Sequence, residues 1–188
     1  MLVLVVGASG NIGQKIVNSL LRRGHRVRGL GRSPEKLPST TLDRLESFVM
    51  SKAFWDVPSL EAGCNGVDAV ICAYNASPEL TVEGQLLLIR AAERAGVRIY
   101  VAASWNCDWR WQNLGDHDTY DAYHCLRQIV AISSTIRPHF IITGVLGDVL
   151  FSKPGRISFS PENHGVWCPV NKRMEIWGDP THKWQWTS

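Results

Sequence analysis

The stretch "LVLVVGASGNIG", residues 2–13, joins a continuous apolar run to three glycines at three-residue spacing. An apolar run that ends in glycine is typical of a central parallel strand buried on both faces. After it, apolar side chains recur on one face of a helix that begins near Asn11 and ends before Gly24. The pattern predicts a strand, a glycine-rich turn and a helix, which together open a βαβ unit.

Strand and helix patterns alternate through the rest of the first 150 residues. Further strands are predicted at 25–31, 45–50, 67–74, 97–104 and 134–142, and further helices at 57–64, 78–95 and 118–132. In the last strand, Pro138 is expected to mark the exit. This alternation predicts an α/β fold, a Rossmann-type doubly wound parallel sheet, over residues 1–150. Residues 151–188, rich in Gly, Pro, Asn and Trp, are expected to form a short, incomplete substrate region packed on that domain.

The composition limits the class of protein. With 188 residues, 45% hydrophobic and 20% charged, the chain is long enough for one well-buried core. The first apolar run is too short for a signal peptide or a membrane span, so we expect a soluble, cytoplasmic protein. A net charge of +3 does not favour nucleic acid as a partner. Five scattered cysteines without Cys-x-x-Cys spacing indicate neither a disulfide framework nor a metal site.

The three glycines suit a dinucleotide. Gly7 allows a sharp turn, Gly10 lets backbone amides approach a pyrophosphate, and Gly13 allows the helix to pack closely. The start of the helix adds free N–H donors and the positive end of its dipole. In this strand and helix context, the spacing predicts a dinucleotide site rather than a purely structural turn.

The end of the second strand indicates which dinucleotide. An acidic residue that binds a ribose 2′-hydroxyl is expected there, but no Asp or Glu occurs from Gln14 to Pro34. Arg32 occupies the place, and Lys36 follows it four residues later. A guanidinium can grip a 2′-phosphate in a forked geometry, and an ammonium adds a point charge. The sequence therefore predicts NADPH as cofactor, with solvated loop charges as the alternative interpretation of both cations.

Four stretches carry a resemblance to a known family. They are "VLVVGASGNIGQKIVNSLLRRGHRVRGLGRSPEKL", "GVDAVICAYN", "LIRAAERAGVRIYVAASW" and "STIRPHF". Together they resemble the NmrA-like proteins, atypical short-chain dehydrogenase relatives that include isoflavone reductase-like enzymes. The later "SWN" and "HGVW" are most similar to fungal members. The resemblance implies a Rossmann fold and NADPH.

The resemblance also implies further cofactor contacts. The family's loop matches Ser9, Asn11 and Ile12 in addition to the glycines, and its contact after the fourth strand matches Tyr74 and Asn75. Many relatives place an Asp beside the adenine after the third strand. The matching position here is Ala53, so the resemblance does not carry that contact over.

The family's catalytic lysine has no counterpart in the matching helix. Its reductases carry a Lys after the fifth strand, but no Lys occurs between Lys52 and Lys153. Tyr123 and Arg127 instead mimic the Tyr-x-x-x-Lys spacing of ordinary short-chain dehydrogenases. A cation near the phenol would help it exchange a proton, and His124 is a second candidate for that step. The alternative is that all three residues are structural.

Tryptophans mark the expected substrate side. Trp105, Trp109 and Trp111 are expected to form an aromatic wall for a planar substrate, or to pack beneath a lid. In relatives, the segment that matches "EIWGDPTHKWQWTS" leads into a further helical region over the substrate. If the chain ends at residue 188, we expect Trp177, Trp184 and Trp186 to be exposed and to favour a homodimer or a protein partner.

Two functions follow from these observations. The first is an NADPH-dependent reductase of a small aromatic or alkaloid-like secondary metabolite. The second is a non-catalytic sensor of NADP(H) that acts by protein contact, as the NmrA resemblance allows and the missing lysine favours. The aromatic cluster favours the enzyme, although a fold alone does not fix a function.

Overall fold

The computed structural model describes residues 1–147, 167–168, 171–174, 181, 183 and 186–187. Strands and helices alternate through most of this part of the chain. In chain order they are β1 (Leu2–Val6), α1 (Asn11–Arg22), β2 (Arg26–Gly31), α2 (Ser39–Leu42), β3 (Ser47–Met50), α3 (Val57–Cys64), β4 (Ala69–Cys72), α4 (Gln85–Arg94), β5 (Ile99–Asn106), α5 (Asp118–Ser133) and β6 (His139–Ile142).

These six strands form one sheet in the order β3-β2-β1-β4-β5-β6. The pairs β1–β2, β1–β4, β2–β3 and β4–β5 are all parallel. The order reverses direction at β1, so the topological switch point lies between the carboxyl ends of β1 and β4. In doubly wound sheets, ligands bind in the crevice at such a point. The predicted Rossmann-type fold is confirmed.

The core forms on both faces of the central strand. All five residues of β1 are buried, as the continuous apolar run predicts. On one face, Val5 and Val27 pack with Ala8 and with Val17 of α1. Burial of one such branched side chain contributes about 1.5–3 kcal/mol. This packing fixes α1 against β1 and β2 and so fixes the loop between them.

Arg28 of β2 links this strand to Glu46 and to the end of α3 through hydrogen bonds. Its Nε donates to Glu46 Oε2 at 3.1 Å, and its Nη2 donates to Glu46 Oε1 at 3.2 Å. Its Nη1 donates to the carbonyl oxygens of Gly63 at 3.1 Å and Asn65 at 2.7 Å, at the end of α3. The Arg28 side chain is only 14% exposed. Of the five arginines between residues 22 and 32, Arg28 therefore has a structural role.

A π-helical turn, Leu80–Gly84, precedes α4, where the sequence predicted one continuous α-helix. Directly after it, the buried Gln85 donates to the Thr81 carbonyl at 3.1 Å and accepts from the Ala103 N–H at 2.8 Å. β4 ends at Cys72, and its pairing with β5 reaches only Val101. Gln85 thus supplies the acceptor that β4 no longer offers to β5.

The sixth strand begins after Pro138 instead of ending there. β6 starts at His139, because proline has no N–H for the sheet and the preceding residues bond elsewhere. Ser134 N–H donates to the Val130 carbonyl, and Thr135 N–H donates to Glu93 Oε1 at 2.6 Å. The prediction that Pro138 marks the exit was wrong.

The chain divides into two compact units. The first comprises Met1–Ser104 and Gln112–Ile141, and the second comprises Trp105–Trp111 and Ile142–Ser188. In the second unit, β7 (Val145–Leu146) pairs in parallel with β10 (Trp186–Thr187), and β8 (Trp167–Cys168) pairs antiparallel with β9 (Arg173–Met174). The predicted boundary at residue 150 lies outside the described residues, as do Trp177 and Trp184.

Among the described residues, no helix has the length and apolar character needed to cross a membrane.

Candidate dinucleotide site

Two glycines of the loop after β1 have no room for a side chain. Gly7 has φ +78°, and a Cβ added to it would lie 2.7 Å from the Ala73 carbonyl oxygen after β4. A Cβ on Gly13 would lie 2.0 Å from the Gly7 carbonyl oxygen. Both distances are far below ordinary contact, so neither position accepts a side chain without rearrangement. The loop therefore turns tightly at the switch point between β1 and β4.

The first turn of α1 offers its backbone donors to a ligand. Gly10 is the N-cap, none of the described side chains caps the helix, and no acidic residue occurs in its first turn. The first N–H groups of a helix have no acceptor within the helix, and they carry the positive end of its dipole. This arrangement suits a pyrophosphate.

Arg32 and Lys36 lie beyond the end of β2. Arg32 directly follows the strand, and Lys36 ends a short 3₁₀ turn, Pro34–Lys36. Both residues are exposed. Within the described part of the chain, neither side chain forms an ion pair with a carboxylate, in contrast to Arg28. Two cations that pair with no described carboxylate thus lie where a 2′-phosphate is expected.

Three further predicted cofactor residues, Ser9, Asn11 and Ile12, lie in the glycine loop and at the start of α1. Ser9 is half-buried, and its Oγ lies 3.6 Å from the position of a Cβ on Gly31. Asn11 is exposed and Ile12 is half-buried at the start of α1. Ser9 of the glycine loop thus lies beside the end of β2. The roles of these three residues in cofactor binding stay predictions.

Tyr74 and Asn75 follow β4, but the structure gives them different surroundings. The Tyr74 ring packs under the π-helical turn, where a Cβ on Gly84 would lie 3.2 Å from Tyr74 Cε2. Its hydroxyl is buried without a hydrogen-bond partner among the described residues, and burial raises the pKa of Tyr74. Asn75 is exposed, and its Oδ1 accepts from the Ala76 N–H at 2.9 Å. Their cofactor contacts remain predictions.

The segment after β3 places Ala53 at the position where the resemblance led us to look for an acid beside the adenine, and two aromatic side chains follow it. The carbonyl oxygen of Ala53 accepts from the Ser51 hydroxyl at 2.6 Å. Asp56, the acid closest in sequence, caps α3 by accepting from the Ser59 N–H. Trp55, which is 65% exposed, stacks edge to face on Phe54 with the ring centroids 4.7 Å apart. Position 53 thus presents no carboxylate.

The predicted catalytic residues of α5 differ widely in exposure. Tyr123 is 1% exposed, whereas Arg127 is exposed and His124 is half-buried. The Tyr123 ring lies 6.3 Å from the Tyr120 ring, centroid to centroid. Helical spacing brings Tyr123 and Arg127 near one face, but the packing buries the phenol and leaves the guanidinium in solvent. Their role in proton transfer stays a prediction.

The three predicted substrate tryptophans also differ in exposure. Trp109 is 1% exposed and Trp111 is 86% exposed, while Trp105 at the end of β5 is half-buried. Between them, Arg110 holds Asp108 through two hydrogen bonds, at 2.8 and 2.6 Å. These bonds lower the pKa of Asp108 to about 2. An aromatic wall that includes Trp109 would need that side chain to become accessible.

Gln14 is a residue of this site that the sequence pattern did not indicate. Its amide nitrogen donates to the carbonyl oxygens of Ser9, at 2.9 Å, and Lys36, at 3.4 Å. The sequence contains no signal for this contact, because it depends on how α1 packs beside the end of β2.

The family of the chain follows from a comparison with family models. The model of the NmrA-like family matches residues 1–164. The chain belongs to the NmrA-like family. This confirms the resemblance on which the expected cofactor loop depends.

Three curated proteins show what this NmrA-like chain is similar to. Cinnamoyl-CoA reductase 1 of Oryza sativa subsp. japonica is 39% identical over 114 residues, which is 55% of this chain and 34% of that protein. The bifunctional pinoresinol-lariciresinol reductase of Linum usitatissimum is 27% identical over 190 residues, 94% of this chain and 57% of that protein. Photosystem II assembly factor Ycf39 of Synechocystis is 34% identical over 108 residues, 54% of this chain and 32% of that protein.

A solved structure, AtPrR2 with NADP+ and (+)pinoresinol, is also similar to the NmrA-like chain. It is 26% identical, with a TM-score of 0.64, over 81% of this chain and 54% of that chain. The chain spans between about one third and somewhat more than half of the length of these relatives.

The site of the NmrA-like chain fits a phosphorylated dinucleotide. Within the described residues no side chain caps the start of α1, so its N–H groups are left to face a pyrophosphate. A Cβ on Gly13 would collide with the Gly7 carbonyl oxygen, so the glycine lets the helix pack closely on the loop. Arg32 and Lys36 offer exposed cations for a further phosphate, and no described carboxylate competes for them. The donor set thus suits NADP(H) better than NAD(H).

Proposed function

We propose that the chain forms the cofactor-binding part of an NADPH-dependent reductase of small aromatic secondary metabolites. The observation that carries the proposal is the pair of cations, Arg32 and Lys36, beside an uncapped glycine-rich helix start. The sequence similarity of the chain to reductases whose names refer to cinnamoyl-CoA and pinoresinol supports the proposal. The structure of a relative with NADP+ and (+)pinoresinol supports both the cofactor and the class of substrate.

The residues of the chain divide the work of binding. The N–H groups at the start of α1 bind the pyrophosphate, and the glycines keep side chains out of its path. Arg32 grips the 2′-phosphate in a forked geometry, while Lys36 adds charge. The cofactor, when bound, supplies a hydride, and the protein supplies its position and electrostatic surroundings.

The reduction also needs a proton. A carbonyl, imine or conjugated alkene that accepts a hydride at carbon takes up a proton at the other end of the double bond. His124 is half-buried and Tyr123 is buried, so His124 or water has the better access to solvent protons. We propose His124 or water as the proton source, with Tyr123 a donor only if α5 shifts.

Turnover tests this proposal directly. The chain is incubated with NADPH and a panel of aromatic ketones and enones, and nicotinamide absorbance is followed. We expect oxidation of NADPH that depends on one of these substrates and is not seen with NADH. Absence of turnover with every substrate, together with equal affinity for NADP+ and NADPH, would contradict the reductase.

One observation favours a second candidate function, a non-catalytic NADP(H)-responsive regulator. No lysine occurs between Lys52 and Lys153, so α5 lacks the lysine that the family resemblance implies for a reductase. A relative of similar identity is an assembly factor, Ycf39. If the chain is a regulator, we expect it to bind NADP(H) without turnover. We also expect it to capture a protein partner, with an affinity for that partner that changes when the cofactor binds.

A further inference from the structure

The two segments of the candidate site are tied together by one side chain. Gln14, half-buried in the first turn of α1, uses its amide nitrogen to reach two carbonyl oxygens. One belongs to Ser9 in the glycine loop, at 2.9 Å, and the other to Lys36 at the end of the 3₁₀ turn, at 3.4 Å. An amide nitrogen carries two hydrogens, so a single group can make both bonds.

This contact acts on the backbone of the segment that carries the cations. The turn over Pro34–Lys36 contains three residues, and the segment's Arg32 and Lys36 side chains are exposed. Exposed cations repel each other, and a short turn does little to hold them close. A donor anchored on α1 restricts the Lys36 backbone before any ligand binds. Restricting a site in its bound arrangement lowers the entropic cost of binding.

We propose that Gln14 is a positioning residue for selectivity toward the 2′-phosphate. It does not contact the phosphate, but it holds the segment of Arg32 and Lys36 beside the glycine loop. The inference rests on the proposed binding of NADP(H) and adds a residue that acts through Lys36. Its specific consequence is that Gln14 affects the affinity for NADP+ and leaves that for NAD+ nearly unchanged, because NAD+ carries a neutral hydroxyl where NADP+ carries the phosphate.

The test is a calorimetric titration of wild type and Gln14→Ala with NADP+ and with NAD+. Because two hydrogen bonds in a half-exposed setting are lost, we expect the Kd for NADP+ to rise about fivefold. The Kd for NAD+ should change by less than about twofold, which is the size of ordinary scatter between variants. Gln128→Ala, which removes the same group from an exposed position on α5, should leave both Kd values unchanged. Thermal denaturation of each variant verifies that it is folded.

Two further variants separate positioning from general support. Gln14→Glu keeps the shape of the side chain but removes the N–H donors and adds a negative charge. It should therefore weaken the binding of NADP+ more than Gln14→Ala does. Gln14→Lys can again donate to the Lys36 carbonyl and should recover the preference for NADP+. Equal weakening of both dinucleotides, or no change in either, would overturn the inference.

The result for the wild type tells the two possible failures apart. A wild-type chain that binds neither dinucleotide contradicts the proposed function, and the inference fails with it. If the wild type prefers NADP+ and the Gln14→Ala variant shows the same preference, only the role of Gln14 is contradicted.

Discussion

Replacement of Arg32 by alanine should remove most of the preference for NADPH over NADH. Arg32 lies directly after β2, is exposed, and makes no ion pair with a described carboxylate. Its loss should therefore cost little stability, because no ion pair among the described residues depends on its charge. The glycine loop, which both dinucleotides use, should remain intact.

The size of the effect follows from the exposure of the side chain. A hydrogen bond to a charged group contributes about 1.5–3 kcal/mol, and solvent screening at an exposed position favours the lower end of this range. A loss of about 1.5–2 kcal/mol corresponds to roughly a 10- to 30-fold increase in the Kd for NADPH. Lys36 should preserve a small residual preference. The affinity for NADH should stay the same.

Nicotinamide fluorescence or calorimetry measures both dissociation constants for each variant. Arg23→Ala is the matched control, because it deletes the same exposed charge at the opposite end of α1. The effect of Arg32→Ala should also shrink at high salt, since the Debye length falls from about 10 Å at 0.1 M to about 3 Å at 1 M. An unchanged ratio of NADPH to NADH affinity, or an equal effect of Arg23→Ala, would refute the assignment.

Three other predictions concern the scaffold of the site. Gly13→Ala should lower the melting temperature and abolish dinucleotide binding, because its Cβ would lie 2.0 Å from the Gly7 carbonyl oxygen. The control Gly31→Ala, whose Cβ would make only ordinary contacts, should have a stability close to that of the wild type. The Arg28 hydrogen bonds lower the pKa of Glu46 below its ordinary value of 4.5, so the carboxylate's stabilising contribution is complete above that pH and is lost as the pH falls through the lowered pKa. Glu46→Gln should therefore flatten the acid limb of a stability profile, and an unaltered limb would contradict the ion pair's role. Gln85→Met should cost about 2 kcal/mol in chemical denaturation because it removes the amide oxygen that accepts from the buried Ala103 N–H, and a stability equal to wild type would show that the bond contributes nothing.

The strand, turn and helix around the glycine loop could be predicted because their causes are local. An apolar run buried on both faces and glycines without room for a Cβ leave few conformations for residues 2–13. Right-handed crossovers between alternating strands and helices then leave few topologies for the sheet. The loop's chemistry depends on backbone groups, so it too is visible in the sequence.

The distinction between Arg28 and Arg32 could not be predicted in the same way. Both lie in one basic segment, but Arg28 bonds to Glu46 before β3 and to carbonyl oxygens at the end of α3. These partners lie 18 to 37 residues away along the chain, and only the sheet brings them together. Long-range contacts therefore decide which cation is structural and which remains available to a ligand.

The spacing of Tyr123 and Arg127 shows a related limit. Residues four apart lie near one face of a helix, but they differ in angle enough for tertiary packing to bury one and expose the other. Tyr123 belongs to the buried face with Leu126 and Val130, and Arg127 lies outside it. The π-helical turn at Leu80–Gly84 was equally invisible to helical periodicity, since its residues would also fit a regular helix.

The most direct test of the account is a nuclear magnetic resonance titration of the labelled chain with NADP+ and NAD+. The central claim is that the glycine loop binds the pyrophosphate and that Arg32 and Lys36 bind the 2′-phosphate. We predict that both dinucleotides shift the backbone amide resonances of residues 10–13, and that only NADP+ shifts those of Arg32 and Lys36. Identical shifts at Arg32 and Lys36 with both ligands, or no shifts in residues 10–13, would contradict the claim.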